Sequence, residues 1–572
     1  MRRENDALGR SFQSSFQETT PRCVKEPTGW NSSGRCHSVE SSALALKRPL
    51  LLAALVAPLL LTAAPRSFLA HDAGYYALQA RWIEQSGQWL APLWFGQPLF
   101  DRCIGAQWLM ALSLKLFGQL PWAEAVPALL AAIASLLLTG WLARRLLPET
   151  ASIALLAPGL LALTPLWINH AHLATQDMPL LAVELAGFCA LVASQREGRA
   201  CWPLLAGLMP GIAFLIKGFM VVLPVLAIAP YLLLERRWVL QRSSFWLGFA
   251  LGWVPVGLWL SLSIQSFGLP VVAGLWTKLL FLSEADVYAA GPLYYLWNLP
   301  ANTAPWSLAA LAGWPRLWRS RLERGPRLAL LLYPLLLLLL LSAFRTKTPY
   351  YGLQLTPWIA IAAAAGLQHW SEAARGWARR MDGWIAGAGS VALAAVLLLM
   401  WPASPLRTAL QGVEELPALP ALLLAAVALG VGWLLVPLQP SPRRRVGALL
   451  LGPWLALVVL TQAGLFTDRS PSVRLALATP AAQTALGQGA VQAAAADPLD
   501  GADHAQLILL ALATPHAPTS LMRPTALSPG QRVWIRRQEL GNPNRWGLVV
   551  QAPALGDWVL AERLDETAGL TP

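Results

Sequence analysis

Charge is scarce in this chain. Charged residues make up 13% of its 572 positions against 56% hydrophobic, where a soluble protein carries roughly 25% charge. That shortage excludes a string of soluble domains, and a mean hydropathy of +0.49 makes the bilayer the expected solvent. Cysteine is scarce too: Cys23, Cys36, Cys103, Cys189 and Cys201 form no CxxC and no metal-ligand spacing, so neither a disulfide framework nor a zinc site is read from them. They are read as unpaired, with a Cys23–Cys36 bridge the one alternative. A net charge of +13 would suit a nucleic-acid partner if the cations gathered on one face or arm. They are scattered in small clusters between apolar runs instead, and no nucleic-acid partner is expected.

What the chain has in abundance is apolar runs. A membrane span takes about 20 mostly apolar residues, and such runs recur at roughly 49–70, 121–141, 151–168, 177–194, 202–216, 218–234, 245–266, 299–313, 328–344, 350–367, 384–401, 417–438 and 446–466. The expectation is about thirteen transmembrane helices. Residues 1–46 are polar and aperiodic, and are read as a disordered cytoplasmic tail. Their length ahead of the first run argues against a cleaved signal peptide.

Lys and Arg collect in cytoplasmic loops, and every even-numbered connection is basic. Lys47-Arg48 precede the first run. Arg144-Arg145, Arg196 with Arg199, Arg236-Arg237, the group from Arg316 to Arg327, Arg379-Arg380 and Arg443-Arg444-Arg445 follow in order. This alternation places the odd-numbered loops and residues 467–572 outside the cytoplasm. The last hundred residues alternate polar and apolar. AQLILLAL, RVWIRR, WGLVVQA and WVLAERL read as strands, with a helix around 472–495. A small extracytoplasmic α/β domain without assigned chemistry is expected there.

The outer side carries few cations: Arg81, Arg102, Lys115, Lys217, Lys278, Arg345 and Lys347. A cation at membrane depth is costly and marks a functional site or an anionic partner, unless it snorkels to lipid phosphates. The first outer loop, 71–120, opens HDAGYYALQARWI and continues through GQPLFDR. Tyr75, Leu78 and Trp82 share a helical face, as do Ile104, Trp108, Leu112 and Leu116, so both segments suit the membrane interface with their aromatic sides in lipid. Asp72 stands where this loop begins, as a functional acid or as a helix N-cap. INHAHLATQDMPL supplies Asn169, His170, His172 and Asp177, and the loop 267–298 supplies Glu284, Asp286, Tyr288 and Tyr294-Tyr295. In FRTKTPYYG, Arg345 and Lys347 with Tyr350 and Tyr351 read as a phosphate clamp at headgroup depth.

In that order, these motifs resemble the GT-C glycosyltransferases that use polyprenyl-phosphate sugars, the group containing aminoarabinose transferases of lipid A and protein O-mannosyltransferases. DAGYYALQAR puts Asp72 on the first acid of the family's Asp-Glu pair, with Ala73 in place of the Glu. GQPLFDR puts Asp101 and Arg102 on an acid and a cation, ATQDMPL puts Asp177 on the second acidic motif, and LIKGFMVVLP puts Lys217-Gly218 on a Lys-Gly-Pro element whose proline is Phe219 here. RTKTPYYGLQLTP puts Arg345, Lys347 and Tyr351 on positions implied to hold the lipid phosphate.

The resemblance implies a mainly α, polytopic GT-C fold over 47–466. It implies a polyprenyl-phosphate sugar donor and a lipid or protein acceptor. Asp72 is the implied general base of an inverting transfer and Asp177 the orienting acid, both catalytic. Tyr75, Tyr76, Asp101, Arg102, His172, Lys217, Glu284, Arg345, Lys347, Tyr350 and Tyr351 are the implied substrate-binding set. No metal and no other cofactor is assigned. A transporter or flippase of a lipid-linked sugar is the alternative. It would be marked by internal repeats and a midplane site, whereas the two halves show no repeat and the polar groups gather on one side.

Overall fold

The computed structural model describes residues 50–284, 289–372, 375–401, 418–540, 546–551 and 556–564. Within them the chain is mostly helical. The helices that frame the site are α1 (Leu50–Leu60), α2 (Tyr75–Ser86), α3 (Gly105–Phe117), α4 (Val126–Leu146), α5 (Ala151–Ala162), α6 (Pro165–Ala171), α7 (Asp177–Ala193), α8 (Cys201–Lys217), α9 (Val222–Glu235), α10 (Ser243–Phe267), α11 (Pro270–Glu284), α12 (Tyr294–Asn302) and α13 (Trp306–Arg319).

Six helices among the described residues are long and apolar enough to cross a membrane, or seven if the bent pair Ser152–Ala162 and Pro165–Ala171 counts as one span. The other expected spans are shorter or interrupted, for local reasons. Pro165 starts a new helix bent 66° from the one before it, since a proline cannot continue the preceding hydrogen-bond ladder. The two runs flanking Lys217 form one 35-residue stretch, Cys201–Glu235, interrupted where Gly218 takes φ +60° and a 3-10 turn follows. The first run is helical only to Leu60.

Small residues let the long helices approach closely, as in membrane bundles where lipid gives no hydrophobic drive for helix association. On α8, a Cβ at Gly211 would stand 2.3 Å from the Gly252 carbonyl carbon of α10. Gly313 of α13 and Gly366 of the helix Thr356–Glu372 face each other in the same way, their added Cβ atoms 1.8 Å from the Ala362 oxygen and 2.1 Å from the Ala309 oxygen. Backbone occupies the space of a side chain at both crossings.

After Gln462 the chain builds a five-stranded sheet from β3 (Val491–Ala494), β4 (Leu521–Met522), β5 (Arg532–Arg536), β6 (Leu548–Val550) and β7 (Trp558–Arg563), in the order β4-β3-β5-β7-β6. Strand β3 runs parallel to both neighbours, while β7 is antiparallel to β5 and β6. RVWIRR and WVLAERL supply strands as read from the sequence. AQLILLAL does not: it lies in the helix Gly501–Ala513. Asp500 accepts from the Asp503 amide at 2.8 Å, and the Asp503 carboxylate accepts from the Asp500 amide at 3.4 Å. That reciprocal cap fixes a helical start, and an unbroken apolar run follows either period equally well. The helix expected around 472–495 is two short ones, Pro471–Leu477 and Pro480–Gly487, followed by β3.

Candidate functional site

The first outer loop is held from both sides. Helix α2 packs on α3, with Gln107 donating to Gln79 at 2.9 Å between them. Its other face, Ala77, Leu78 and Trp82, joins Leu507, Ile508, Leu510 and Trp534 of the C-terminal domain in one core. The Trp82 indole donates to the Pro518 carbonyl at 3.0 Å. The expectation that this aromatic face lies in lipid is therefore corrected, because the C-terminal domain covers it. Helix α3 does expose Leu109, Leu112, Leu116 and Phe117.

Arg81 sits at the junction. It is buried, donates to the Leu512 carbonyl and to Glu124 at 2.8 Å, and so takes one partner from the last turn of a helix, where backbone carbonyls lack intrahelical donors. Burial pushes the Glu124 carboxyl up, and Arg81 opposes that shift.

Asp72 lies in a single π-helical turn, Ala70–Gly74, at φ +59° and ψ −90°. This region is near the γ-turn conformation that L residues rarely adopt, and a residue held there costs about 1–3 kcal/mol. The surroundings fix it. The Gly74 amide donates to the Leu69 carbonyl at 2.7 Å, and a Cβ at Gly74 would meet that same oxygen at 2.7 Å and Ile508 of the C-terminal helix at 2.9 Å. The Asp72 side chain makes no capping bond to α2, which leaves its carboxyl turned to its neighbours. Asp72 is exposed, yet partial desolvation by the surrounding protein raises its pKa, and repulsion from Asp177 raises it further. Lys217, Arg102 and His170 pull it back.

Those neighbours come from four separate segments. The hairpin β1 (Leu93–Trp94) and β2 (Gln97–Pro98) turns through Gly96 at φ +81° and delivers Asp101-Arg102. The Arg102 guanidinium grips the Asp101 carboxylate at 2.9 and 2.5 Å and lies over the rings of Tyr75 and Tyr76, 4.3 and 4.8 Å from their centroids. Tyr75 donates to Asp101 at 3.4 Å, and Tyr76 donates to Gln176 at 3.2 Å. Asp177, the first residue of α7, pairs with Lys217, the last residue of α8. The Lys217 ammonium also sits 5.0 and 5.2 Å from the rings of Tyr350 and Tyr351. Both tyrosines ride on the 3-10 helix Pro349–Leu355.

Asp72, Tyr75, Tyr76, Asp101, Arg102, Asp177, Lys217, Tyr350 and Tyr351 are thus brought together, and other expected members are not. His172 turns away, its Nε2 on the Leu59 carbonyl at 2.9 Å and its ring stacked on Phe466. Burial lowers it to about 4. His170, two residues earlier, is the histidine beside Asp72 and Asp177, with its ring 5.9 Å from that of Tyr350. Lys347 is buried and donates to the Phe344 carbonyl, while Arg345 is exposed. Lys347 thus turns back onto its own segment, and it is Lys217 that stands against the rings of Tyr350 and Tyr351. The Glu284 side chain, Asp286 and Tyr288 lie outside the described residues.

Three members lie outside the implied substrate-binding set: His170 and Lys278, which the sequence offered only as candidates, and Gln176, which it did not name; Lys278 is within electrostatic reach of Asp101 and Arg102. Their signal was adjacency, since Gln176 precedes Asp177 and His170 lies in the same INHAHLATQD stretch. Among the described residues, no group of three or more His, Cys, Asp or Glu is arranged to hold a metal ion.

Residues 101–260 match the family model described as dolichyl-phosphate-mannose-protein mannosyltransferase. The chain is 29% identical over 442 residues to the undecaprenyl phosphate-alpha-4-amino-4-deoxy-L-arabinose arabinosyl transferase of Edwardsiella ictaluri, covering 72% of this chain and 76% of that one. It is 28% identical over 291 residues to the enzyme of the same name from Pseudomonas aeruginosa, covering 49% of this chain and 52% of that one. The crystal structure of ArnT from Cupriavidus metallidurans bound to undecaprenyl phosphate superposes with a TM-score of 0.70 at 17% identity, covering 93% of this chain and all of that one; at that identity the likeness is one of fold. The order of motifs, the membrane helices followed by an α/β domain and these likenesses point the same way: the chain is similar in sequence to the undecaprenyl-phosphate aminoarabinose transferases, carries over 101–260 a match to the dolichyl-phosphate-mannose-protein mannosyltransferase model, and shares the fold of ArnT.

Proposed function

We propose that this protein transfers a sugar from an undecaprenyl-type polyprenyl phosphate to a lipid or protein acceptor at the extracytoplasmic face of the membrane, in one displacement that inverts the anomeric centre. The observation that carries this reading is the gathering of two cations from different segments of the chain, Arg102 against Tyr75 and Tyr76 and Lys217 against Tyr350 and Tyr351, within electrostatic reach of Asp72. The acceptor oxygen attacks the anomeric carbon as the bond from that carbon to the phosphate oxygen breaks. The electron pair leaves with the phosphate, and Arg102 and Lys217 stabilise the charge that develops there. A phosphate leaving group needs no strong acid, so the chain's one demanding proton transfer is at the acceptor.

Asp72 takes the proton of an acceptor hydroxyl. A positioned base of this kind contributes roughly 10²–10⁴ in rate, and the raised pKa of Asp72 makes it a stronger base than an ordinary aspartate. Asp177, held by Lys217, orients the donor, while Tyr75 and Tyr76 wall the site beside Arg102. Ala73, where the resembling family carries Glu, removes a second carboxylate from the acceptor side, and the sugar is left as a hexose or pentose.

Asp72→Asn should reduce turnover by about 10²-fold or more while binding of undecaprenyl phosphate persists, measured by transfer of radiolabelled sugar and by lipid binding in parallel. Turnover within about threefold of the parent would remove Asp72 from the role of base. In the parent protein, activity should fall on acidification as Asp72 is protonated, and the midpoint should lie above that of an ordinary aspartate because partial desolvation raises its pKa.

A further inference from the structure

A second pair of cations stands outside the Asp72 cluster. The chain leaving α1 runs through Arg66 to Ser67, which forms a parallel bridge with Asp468 at the entrance to the C-terminal domain. The bridge sets Arg66 and Arg469 on neighbouring extended segments, both half-buried. Asp468 is already engaged, accepting from the Ser67 hydroxyl at 2.6 Å and from Arg474 at 2.8 Å. Arg469 donates to Asn169, yet its Nε is buried with no hydrogen-bond partner. Among the described residues neither Arg66 nor Arg469 has a carboxylate partner.

An apolar groove adjoins these cations. A cavity of about 450 Å³ between α1 and α4 is lined by Leu60, Trp122, Val126 and Leu129, with Arg66 and His172 at its edge. A smaller space shares Arg66, Ala125 and His172 with it and adds Arg469 and Ala73. His172 is neutral there, because burial lowers it to about 4. Half-buried guanidiniums without a counter-ion are costly, and their planar fork matches a phosphate. Hydrocarbon is the complement of the groove.

We propose that Arg66 and Arg469 hold the phosphate of an anionic membrane lipid whose hydrocarbon chain lies in the α1–α4 groove, at a site separate from the donor site beside Arg102 and Lys217. The headgroup stands behind the Asp72 turn, against Ala73, and one lipid thereby contacts the first helix, the mouth of α6 and α7, and the start of the C-terminal domain.

The test uses the full-length protein in phosphatidylcholine nanodiscs with a phosphatidylglycerol analogue carrying a photoreactive group in its acyl chain. Labelled peptides mapped by mass spectrometry should fall in 58–66 and 121–130. Unlabelled phosphatidylglycerol should compete and phosphatidylcholine should not. R66Q/R469Q should lower this labelling about tenfold while binding of undecaprenyl phosphate is kept. Leu129→Trp, which fills the groove and leaves both cations in place, should lower it as well and guards against a misfolded double variant. Equal labelling by a phosphatidylcholine analogue, or labelling indifferent to both variants, would overturn the site. Competition by inorganic phosphate at the same concentration as phosphatidylglycerol would make it a free-anion site. Competition by undecaprenyl phosphate would merge it with the donor site. Either result ends the proposal.

Discussion

Helices α2 and α3 carry the same pattern of apolar residues and meet opposite fates. On α2, Leu78 and Trp82 are buried beneath the C-terminal domain. On α3, Leu112 and Leu116 are 50% and 69% exposed, as befits an interfacial helix whose apolar side faces lipid. Hydrophobic spacing names the face that leaves water and is silent about what receives it. The difference lies in the flanks. Arg81 and Gly74 on or beside α2 are shaped for a protein partner, the one by charge and the other by the absence of a side chain, and α3 has nothing comparable on its outer face.

Substitutions can break this contrast, beginning with Arg81. Arg81→Met leaves Glu124 buried without its partner and should cost about 3–5 kcal/mol, seen as a large fall in thermal midpoint. A midpoint that hardly moved would show that Glu124 is not left as an uncompensated buried charge when Arg81 is lost. Leu78→Ala opens a cavity in the shared core and should cost about 2–5 kcal/mol, read in the same melts.

Asp72→Asn provides a finer comparison, of opposite sign. Its pKa is raised in the folded state, so the folded protein binds a proton more tightly than the unfolded chain does. Stability is then lost as pH rises from the unfolded toward the folded value. Removing the charge should raise the melting temperature at pH 7 and leave it unchanged at pH 3, and a lower midpoint at pH 7 would contradict the raised pKa of Asp72. Leu116→Ala on α3 should shift stability by no more than about 0.5 kcal/mol. A loss as large as that of Leu78→Ala would erase the contrast between the two helices.

Much of this was legible in the sequence because it rests on chemistry that hydrocarbon enforces. A polar residue in an apolar run must have a reason, and Lys217 stood out on that ground, whereas Asp177 was one of four polar groups in its loop until the family motif picked it out. Their pairing was not legible, since a salt bridge between residues 40 apart depends on how α7 and α8 cross. In RTKTP the letters do not show where a cation points: a lysine side chain can reach back to the carbonyl three residues earlier, as Lys347 does with Phe344. His170 and His172 were indistinguishable as letters, and the end of α6 between them turns one ring toward Asp72 and the other toward Phe466. The strained backbone of Asp72 left no trace in composition, because nothing in the residue type demands it. In the C-terminal domain, AQLILLAL shows that an apolar run decides little until its cap is read.

The Arg81 and Trp82 bonds to Leu512 and Pro518 span 431 and 436 residues of chain, and this sets an order of events during synthesis. The Asp72 turn leaves the ribosome among the first segments, while the helix that braces it leaves among the last. At about 5–20 residues per second, the loop waits on the order of 20 s or more for its brace. A nascent or prematurely terminated chain can therefore occupy the membrane with its helices in place and still lack the brace of the Asp72 turn, so that the shape of the candidate site reports completion of the polypeptide rather than its insertion.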